Sequence, residues 1–397
     1  MYRRNFMGSI EGSSHINYSI KSINKVGIIA ALSCVAITGI GFGLSLPLLS
    51  FVMKELGYSS FIIGLNTTMP AIAAFALSPL FLKFMEKFGL KSFLSFAIIV
   101  AIFCFYGFFF TQNIFLWFVL RFVFGACLDG IFVASETWIG ELSPDHLRGR
   151  IMGIFSSCLS IGYFLGAGVL VFTGSRGVLP FIAGSLFLLI VFVPIFLARK
   201  QIPNIKSEEQ TSIKPIILST PIAMGAAIVY GYMETTAFNL LPLYGIYNGL
   251  SEQLSVSLLV VVGVGQACLQ FFVGAIADKY GARISLIICT LIGIFGAIGI
   301  GFFINTPFVL YPILFFWGAC ISGFYTLALI IVGKKYKGSS LAGANTAVVA
   351  MFGVGSLIGP PLAGFGMKTS ENYGFVIAML VPVLIYIIPL VLRKNNL

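Results

Sequence analysis

Apolar residues run along this chain in blocks long enough to cross a bilayer, and short polar segments separate one block from the next. A hydrocarbon core about 30 Å thick takes roughly 20 residues of helix. Twelve such blocks can be drawn, at approximately 27–53, 60–82, 92–110, 114–139, 151–172, 178–198, 216–247, 254–277, 284–304, 307–332, 341–366 and 373–392. They predict an all-α membrane protein with twelve transmembrane helices. Residues 1–26 are polar and basic with no central apolar run, which reads as a tail and not as a signal peptide or span. The longest interior polar segment, ARKQIPNIKSEEQTSIKP, falls between the sixth and seventh blocks. The expected organisation is therefore a tail (1–26), a six-helix bundle (27–198), a linker (199–215), a second six-helix bundle (216–392) and a short second tail (393–397).

Composition agrees with this frame. Of 397 residues 58% are hydrophobic and only 9% charged, with 40 Phe against 2 His, a balance that no soluble domain of this length shows. The seven cysteines all fall inside apolar blocks without CxxC spacing, so they read as packing residues and not as disulfides or metal ligands. The basic residues divide unevenly. Twenty of the 24 Lys and Arg lie in the tails and in alternate loops, three (Lys54, Arg176, Lys368) lie in the opposite loops, and Arg121 alone lies inside a span. By the positive-inside rule both termini are expected in the cytoplasm, in a cell membrane that would be the inner membrane of a bacterium. The net charge of +11 follows from that topology, which removes the main argument for a nucleic-acid partner.

The two halves repeat. Leu46-Pro47-Leu48 recurs as Leu241-Pro242-Leu243, Glu86-Lys87-Phe88-Gly89 as Asp278-Lys279-Tyr280-Gly281, and Gly162-x3-Gly166 as Gly355-x3-Gly359, at offsets of 195, 192 and 193 residues. Internal duplication of this kind marks transporters built from two similar bundles. Over nearly the whole chain after the tail, the sequence resembles the major facilitator superfamily. GAIADKYGAR, residues 274–283, looks like the family's loop motif between the second and third helix of a half; LKFMEKFGLK, residues 82–91, is a degraded copy. Arg121-x3-Gly125 is similar to the family's fourth-helix arginine motif, with Phe124 where Gln is usual, and PDHLRGRIMG at 144–153 resembles the loop that opens the fifth helix. The resemblance implies twelve helices in two pseudo-symmetric bundles and secondary active transport of a small solute by alternating access. It implies no enzyme activity, metal or cofactor, and a monomer whose partners are the solute, a coupling ion and the lipid. It also implies a cytoplasmic gate built on Asp278, with Arg283, Glu86, Arg148, Arg150 and Glu141 around it. Asp278 would bridge to the start of the fifth helix, and Glu86 to the start of the eleventh near Ser339. Many exporters of the superfamily carry Gly-Pro late in the fifth helix; here Gly166 is followed by Ala167, and Gly359-Pro360 stands in the eleventh instead.

The chemistry is carried by charges inside the apolar blocks: Arg121, Asp129 and Glu136 in the fourth, Glu234 in the seventh. A charge at mid-bilayer costs about 2.5–3.5 kcal/mol on insertion scales, so such residues face a cavity or a partner. At 100° per residue Asp129 and Glu136 lie about 80° and 60° around the helix from Arg121, so one cavity can take all three. Eight residues separate Arg121 from Asp129 by about 12 Å along the axis, which forbids mutual pairing. With three acids and one base, at least one acid is expected to hold a proton during the cycle, and H⁺ becomes the expected coupling ion. Tyr230, Glu234, Thr235 and Asn239 are the polar residues of the seventh block, near the Pro242 break. Gly41, Pro47 and Pro242 read as places where helices bend, Gly355, Gly359 and Pro360 as close contact, and Trp317 and Tyr325 as packing. Efflux by proton antiport is the first expectation, uptake by proton- or sodium-coupled symport the second. No metalloprotease, hydrolase or phosphate-cradling motif is present, and His15 and His146 are the only histidines.

Overall fold

The computed structural model describes residues 24–143, 148–203, 214–336 and 339–392, except for the side chains of Ser78, Pro79, Arg148, Arg150, Ser339 and Ala342. Both tails and most of the linker expected from the sequence thus lie outside the described residues. The described chain is helical and, among these residues, has no strand. The first half comprises α1 (Lys25–Glu55), α2 (Ser60–Asn66), α3 (Met69–Phe88), α4 (Leu90–Phe110), α5 (Ile114–Leu142), α6 (Arg148–Thr173), α7 (Leu179–Ile190) and α8 (Phe192–Leu197). The second comprises α9 (Lys214–Ser219), α10 (Pro221–Tyr247), α11 (Glu252–Tyr280), α12 (Ala282–Phe303), α13 (Pro307–Lys335), α14 (Ser339–Thr369) and α15 (Gly374–Leu392).

Three of the twelve expected spans are interrupted. The second breaks at Thr67 and Thr68, which return their hydroxyls to the Gly64 and Leu65 carbonyls at 2.7 Å each, and Pro70 opens the next helix. The sixth breaks at Val191, and the seventh has a short lead-in helix before Thr220 and Pro221. Proline lacks the N–H and restricts the residue before it, so a break falls just ahead of it. Eleven described helical segments are long and apolar enough to cross a membrane. The remaining span is α10, 27 residues long, whose hydropathy is diluted by Tyr230, Tyr232, Glu234, Thr235, Thr236 and Asn239.

The repeat seen in the sequence returns as geometry. Gly57, Gly89, Gly249 and Gly281 all have φ between 80° and 87°, and Ser59 and Ser251 cap the helices that follow. Only glycine takes that backbone conformation at little cost. Phenylalanines such as Phe103, Phe110, Phe172, Phe302 and Phe308 cover the outside, where a soluble protein would carry charge.

Within each half one pair of helices touches at backbone distance. Gly39 and Gly43 of α1 meet Gly162 and Tyr163 of α6, and a Cβ on Gly43 would come within 2.1 Å of the Tyr163 carbonyl. Gly231 of α10 meets Phe352 of α14, while Gly355 and Gly359 meet α10 between Ile228 and Thr236. α1 and α10 run unbroken through Pro47 and Pro242, and Gly41 lies against Leu128 of α5.

The halves meet across a seam at the end carrying the 56–59 and 248–251 loops. There the Ser60 hydroxyl donates to the Gly364 carbonyl at 2.8 Å, Gly64 lies against Pro360 and Pro361, and Lys54 sits 4.5 Å from the Tyr247 ring centre. At the opposite end, which carries residue 24 and the loops at 89 and 281, Glu136, Ser156, Ser157 and Asp278 are exposed.

Candidate functional site

Five helices bring polar side chains to the middle of the molecule. α5 supplies Arg121, 1% exposed, whose Nη1 donates to the Ser45 carbonyl of α1 at 3.4 Å and whose Nη2 donates to Asn239 Oδ1 of α10 at 3.2 Å. Asn239 in turn donates from Nδ2 to the Thr235 carbonyl at 2.7 Å, so its amide is oriented by its own helix. Among the described residues Arg121 Nε has no hydrogen-bond partner. Gly125, one turn further along α5, lets Pro70 of α3 approach so closely that a Cβ there would lie 2.5 Å from the Pro70 Cα.

Glu234 lies on α10 with its carboxylate beside the Tyr230 hydroxyl and with Oε2 buried and unpartnered. Aromatic rings close around it. Tyr230 is 5.0 Å from Tyr325 of α13 and 5.1 Å from Phe352 of α14, while Tyr163 of α6 stacks on Phe42 at 5.7 Å and meets Phe238 edge-on at 5.1 Å. Tyr163 is near enough to both Glu234 and Asp129 to feel their charges, and Tyr325 is near Glu136 as well as Glu234. Among the described residues none of Arg121, Asp129, Glu136 and Glu234 forms an ion pair. A second tie, from Thr235 Oγ1 to Ser356 Oγ at 2.8 Å, fixes α10 to α14 beside the acid.

The interior therefore has two electrical poles. Arg121 is held by neutral acceptors on α1 and α10, and the acids cluster nearer the opposite end. A crevice of about 610 Å³ beside α3, α4 and α5, lined by residues such as Phe81, Phe84, Phe93 and Phe96, is apolar and lies on the lipid side, apart from these charges.

The residues expected at the gate lie outside this interior group, at the end that carries the loops at 89 and 281. Asp278 is exposed in the last turn of α11 and makes no hydrogen bond or ion pair among the described residues. The Arg148 and Arg150 side chains expected to meet it lie outside the described residues, as does that of Ser339 opposite Glu86. Glu86 and Glu141 are exposed. Arg283 donates from Nε to the Leu390 carbonyl at 3.2 Å and from Nη2 to the Val391 carbonyl at 3.0 Å, closing the last turn of α15 in its own half. Pro360 lies in the seam, against Gly64.

Sequence reasoning passed over Asn66 and Thr236, and it read Tyr325 as packing. Asn66, 1% exposed, ends α2, and among the described residues neither of its amide atoms has a partner; Thr236 Oγ1 is likewise buried and unpartnered among them. The signal was legible in Asn66-Thr67-Thr68-Met69-Pro70, a polar run ahead of a proline within an apolar block.

The sequence profile of the Major Facilitator Superfamily matches residues 31–264 and again 223–396. The chain is 26% identical over 344 residues to the uncharacterized MFS-type transporter YfkF of Bacillus subtilis, covering 85% of this chain and 88% of that protein. It is 27% identical over 266 residues to the uncharacterized MFS-type transporter YcaD of Escherichia coli, covering 66% and 68%. Among solved structures, a point mutant of the nucleoside transporter NupG is similar with a TM-score of 0.77 at 12% identity, covering 92% of this chain and 98% of that one. A D-xylose-proton symporter gives 0.73 at 15% identity, covering 93% and 98%. At such identities the likeness concerns the fold.

Proposed function

The chain belongs to the Major Facilitator Superfamily, and from that premise we propose that it moves a small solute across the membrane by alternating access, coupled to protons, with export by antiport as its direction. The observation that carries the reading is the set of interior acids with no protein cation to meet them: Arg121 is turned to Ser45 and Asn239 while Glu234 Oε2 is unpartnered. A buried carboxylate without a counter-charge is costly, so it takes a proton or a cationic group of the solute. When both compete for one acid, binding one releases the other, and that exchange couples outward solute flow to inward proton flow. The end carrying the tails is the cytoplasmic one by the positive-inside rule, so a seam at the 56–59 end with Glu136 exposed at the other corresponds to an inward-facing state.

The test uses purified protein in liposomes with an internal pH dye and an imposed pH gradient. A panel of amines, amino acids, peptides and nucleosides is applied on each side. Solute-dependent proton release that disappears in both Asp129→Asn and Glu234→Gln supports the reading. Flux that follows sodium at fixed pH, or gradient-driven flux that survives in both variants and in their combination, overturns the proton coupling. Solute and proton moving in the same direction would overturn antiport and favour symport.

A further inference from the structure

The first-half copy of the loop motif, LKFMEKFGLK, is not used by the proton-exchange reading, and its surroundings differ from those of the second copy. In the second half Arg283 closes the end of α15 through the Leu390 and Val391 carbonyls. Its counterpart at the 192-residue offset is Lys91, whose amino group, like those of Lys83 and Lys87, makes no hydrogen bond or ion pair among the described residues. The two halves also differ in aromatic content here. Phe81, Phe84 and Phe88 of α3 and Phe93 and Phe96 of α4 are matched at the same offset by Val273, Ile276, Tyr280, Ser285 and Ile288, so none of these phenylalanines recurs. Their rings wall the crevice of about 610 Å³, and its floor on α5 is made by the shorter Val123, Ala126 and Cys127, which leave a groove between the walls.

The crevice runs from Phe88 and Ser92, beside the loop at 89, to Leu77 and Val100. At the helical rise these stretches of α3 and α4 are about 16 and 12 Å long. One leaflet of a hydrocarbon core about 30 Å thick is about 15 Å deep, so the crevice has the depth of a single leaflet. A groove on the lipid face takes the acyl chain of whichever lipid lies beside it, and apolar burial gains little where the surroundings are apolar too. Selection therefore falls to the headgroup. The mouth is basic: Lys87 Nζ lies 5.1 Å from the centre of the Phe88 ring, which lines the crevice. Lys91 lines a second crevice of about 390 Å³ on a neighbouring face of α4, against Phe192 and Phe196 of α8. Counting Lys83 and Glu86, three lysines stand against one glutamate, a net charge of +2. We propose that the crevice of α3, α4 and α5 seats one acyl chain of an anionic phospholipid from the leaflet on the tail side, its phosphate held by Lys87 and Lys91. A zwitterionic lipid offers the same chain, but its own ammonium group competes with the lysines for its phosphate. Each lysine near an anionic headgroup is worth about fivefold in affinity. The inference uses neither the solute nor the coupling ion.

The experiment places the purified full chain in phosphatidylcholine nanodiscs with a trace of probe lipid that carries a photoreactive group in one acyl chain. The probe has either a phosphatidylglycerol or a phosphatidylcholine head. After illumination, adducts on residues 77–100 and 122–127 are quantified by peptide mass spectrometry. The glycerol-headed probe is expected to label these segments at least about tenfold more than the choline-headed one. With Lys87→Gln and Lys91→Gln combined, that ratio should fall to about two or less. Lys87→Arg with Lys91→Arg keeps the charge and should keep the ratio, which separates loss of charge from a folding defect. Lys279→Gln, in the second copy of the motif, should leave it unchanged. Phe84→Ala opens one wall of the groove and should lower labelling by both probes alike. Millimolar inorganic phosphate should displace the glycerol-headed probe no more than sodium chloride of equal ionic strength. Equal labelling by the two probes in the wild type, or a preference that survives the paired glutamines, is lost with the paired arginines or is lost in Lys279→Gln, would overturn the proposal. So would undiminished labelling in Phe84→Ala, or specific displacement by inorganic phosphate, which would make this a phosphate site without a lipid chain. No solute or gradient is present, so failure of the proton-exchange reading in liposomes and failure of this one are separate results.

Discussion

Arg121 ties the halves together through one amide, and that gives it two separable duties. Its charge sets the electrical balance of the interior, and its planar fork spans Ser45 and Asn239. Arg121→Lys keeps the first and loses the second. If charge balance dominates, Arg121→Lys should retain a substantial part of wild-type flux and Arg121→Gln almost none, as initial rates in liposomes under one pH gradient would show. If the fork dominates, the two variants fail alike. A complementary outcome is expected for the acids: Asp129→Asn or Glu234→Gln should abolish accumulation against a gradient while solute-for-solute exchange persists, read with labelled solute on both sides. Most of this chemistry was legible beforehand, because a charge within an apolar block is conspicuous in a membrane sequence. What could not be read was where each charge points. Nothing in the spacing of Arg121 and Asn239, which stand on different halves, announces that they meet.

Helix pairs in lipid gain little from apolar burial, since the surrounding chains are as apolar as their own side chains, so close backbone approach matters more. That is the role the structure gives to Gly39 and Gly43 against α6, and to Gly231, Gly355 and Gly359 between α10 and α14. The sequence showed the spacing of Gly162 and Gly166, and of Gly355 and Gly359, and read Gly41 in the first helix as a bend. A run of glycines looks alike whether it bends a helix or seats one, and only the partner decides. Gly43→Ala should destabilise by about 1–3 kcal/mol or more through overpacking against the Tyr163 carbonyl. Gly153→Ala in α6, where a Cβ would meet nothing within 4 Å, should be neutral or slightly stabilising. Thermal unfolding of the two proteins in the same detergent distinguishes them; equal melting temperatures would mean that α1 can move away from α6 at no cost. The breaks at Val191 and Thr220 were the least legible features, because each lies inside an apolar block that is long enough to be continuous.

At the scale of the whole molecule, the proposed alternating-access cycle has the seam at the 56–59 end part while the other end closes. Replacing Phe61 of α2 and Phe365 of α14, whose ring centres lie 6.1 Å apart, by cysteine and joining them with a short reducible bifunctional thiol reagent should stop flux, with recovery on reduction; continued flux in the fully cross-linked protein would show that this seam does not open. Asp278 is proposed to act in the opposite closure. Asp278→Asn should favour the state described here and increase labelling of a cysteine placed at Ser157, which is exposed in α6; unchanged labelling would leave Asp278 as a surface charge. The make-up of the seam carries a further consequence. Where Ser60 meets Gly364 and Gly64 meets Pro360, the contacts are a hydroxyl, carbonyl oxygens and bare Cα atoms, while the charged elements of that end are Lys54, over Tyr247 and near Glu371, and Arg176, near Glu252. Dissolved ions screen charges and leave neutral backbone contacts almost untouched. The opening rate at that end should therefore rise with salt only as far as those two charge pairs are screened, and the neutral contacts would set a floor to closure that even concentrated brine leaves in place.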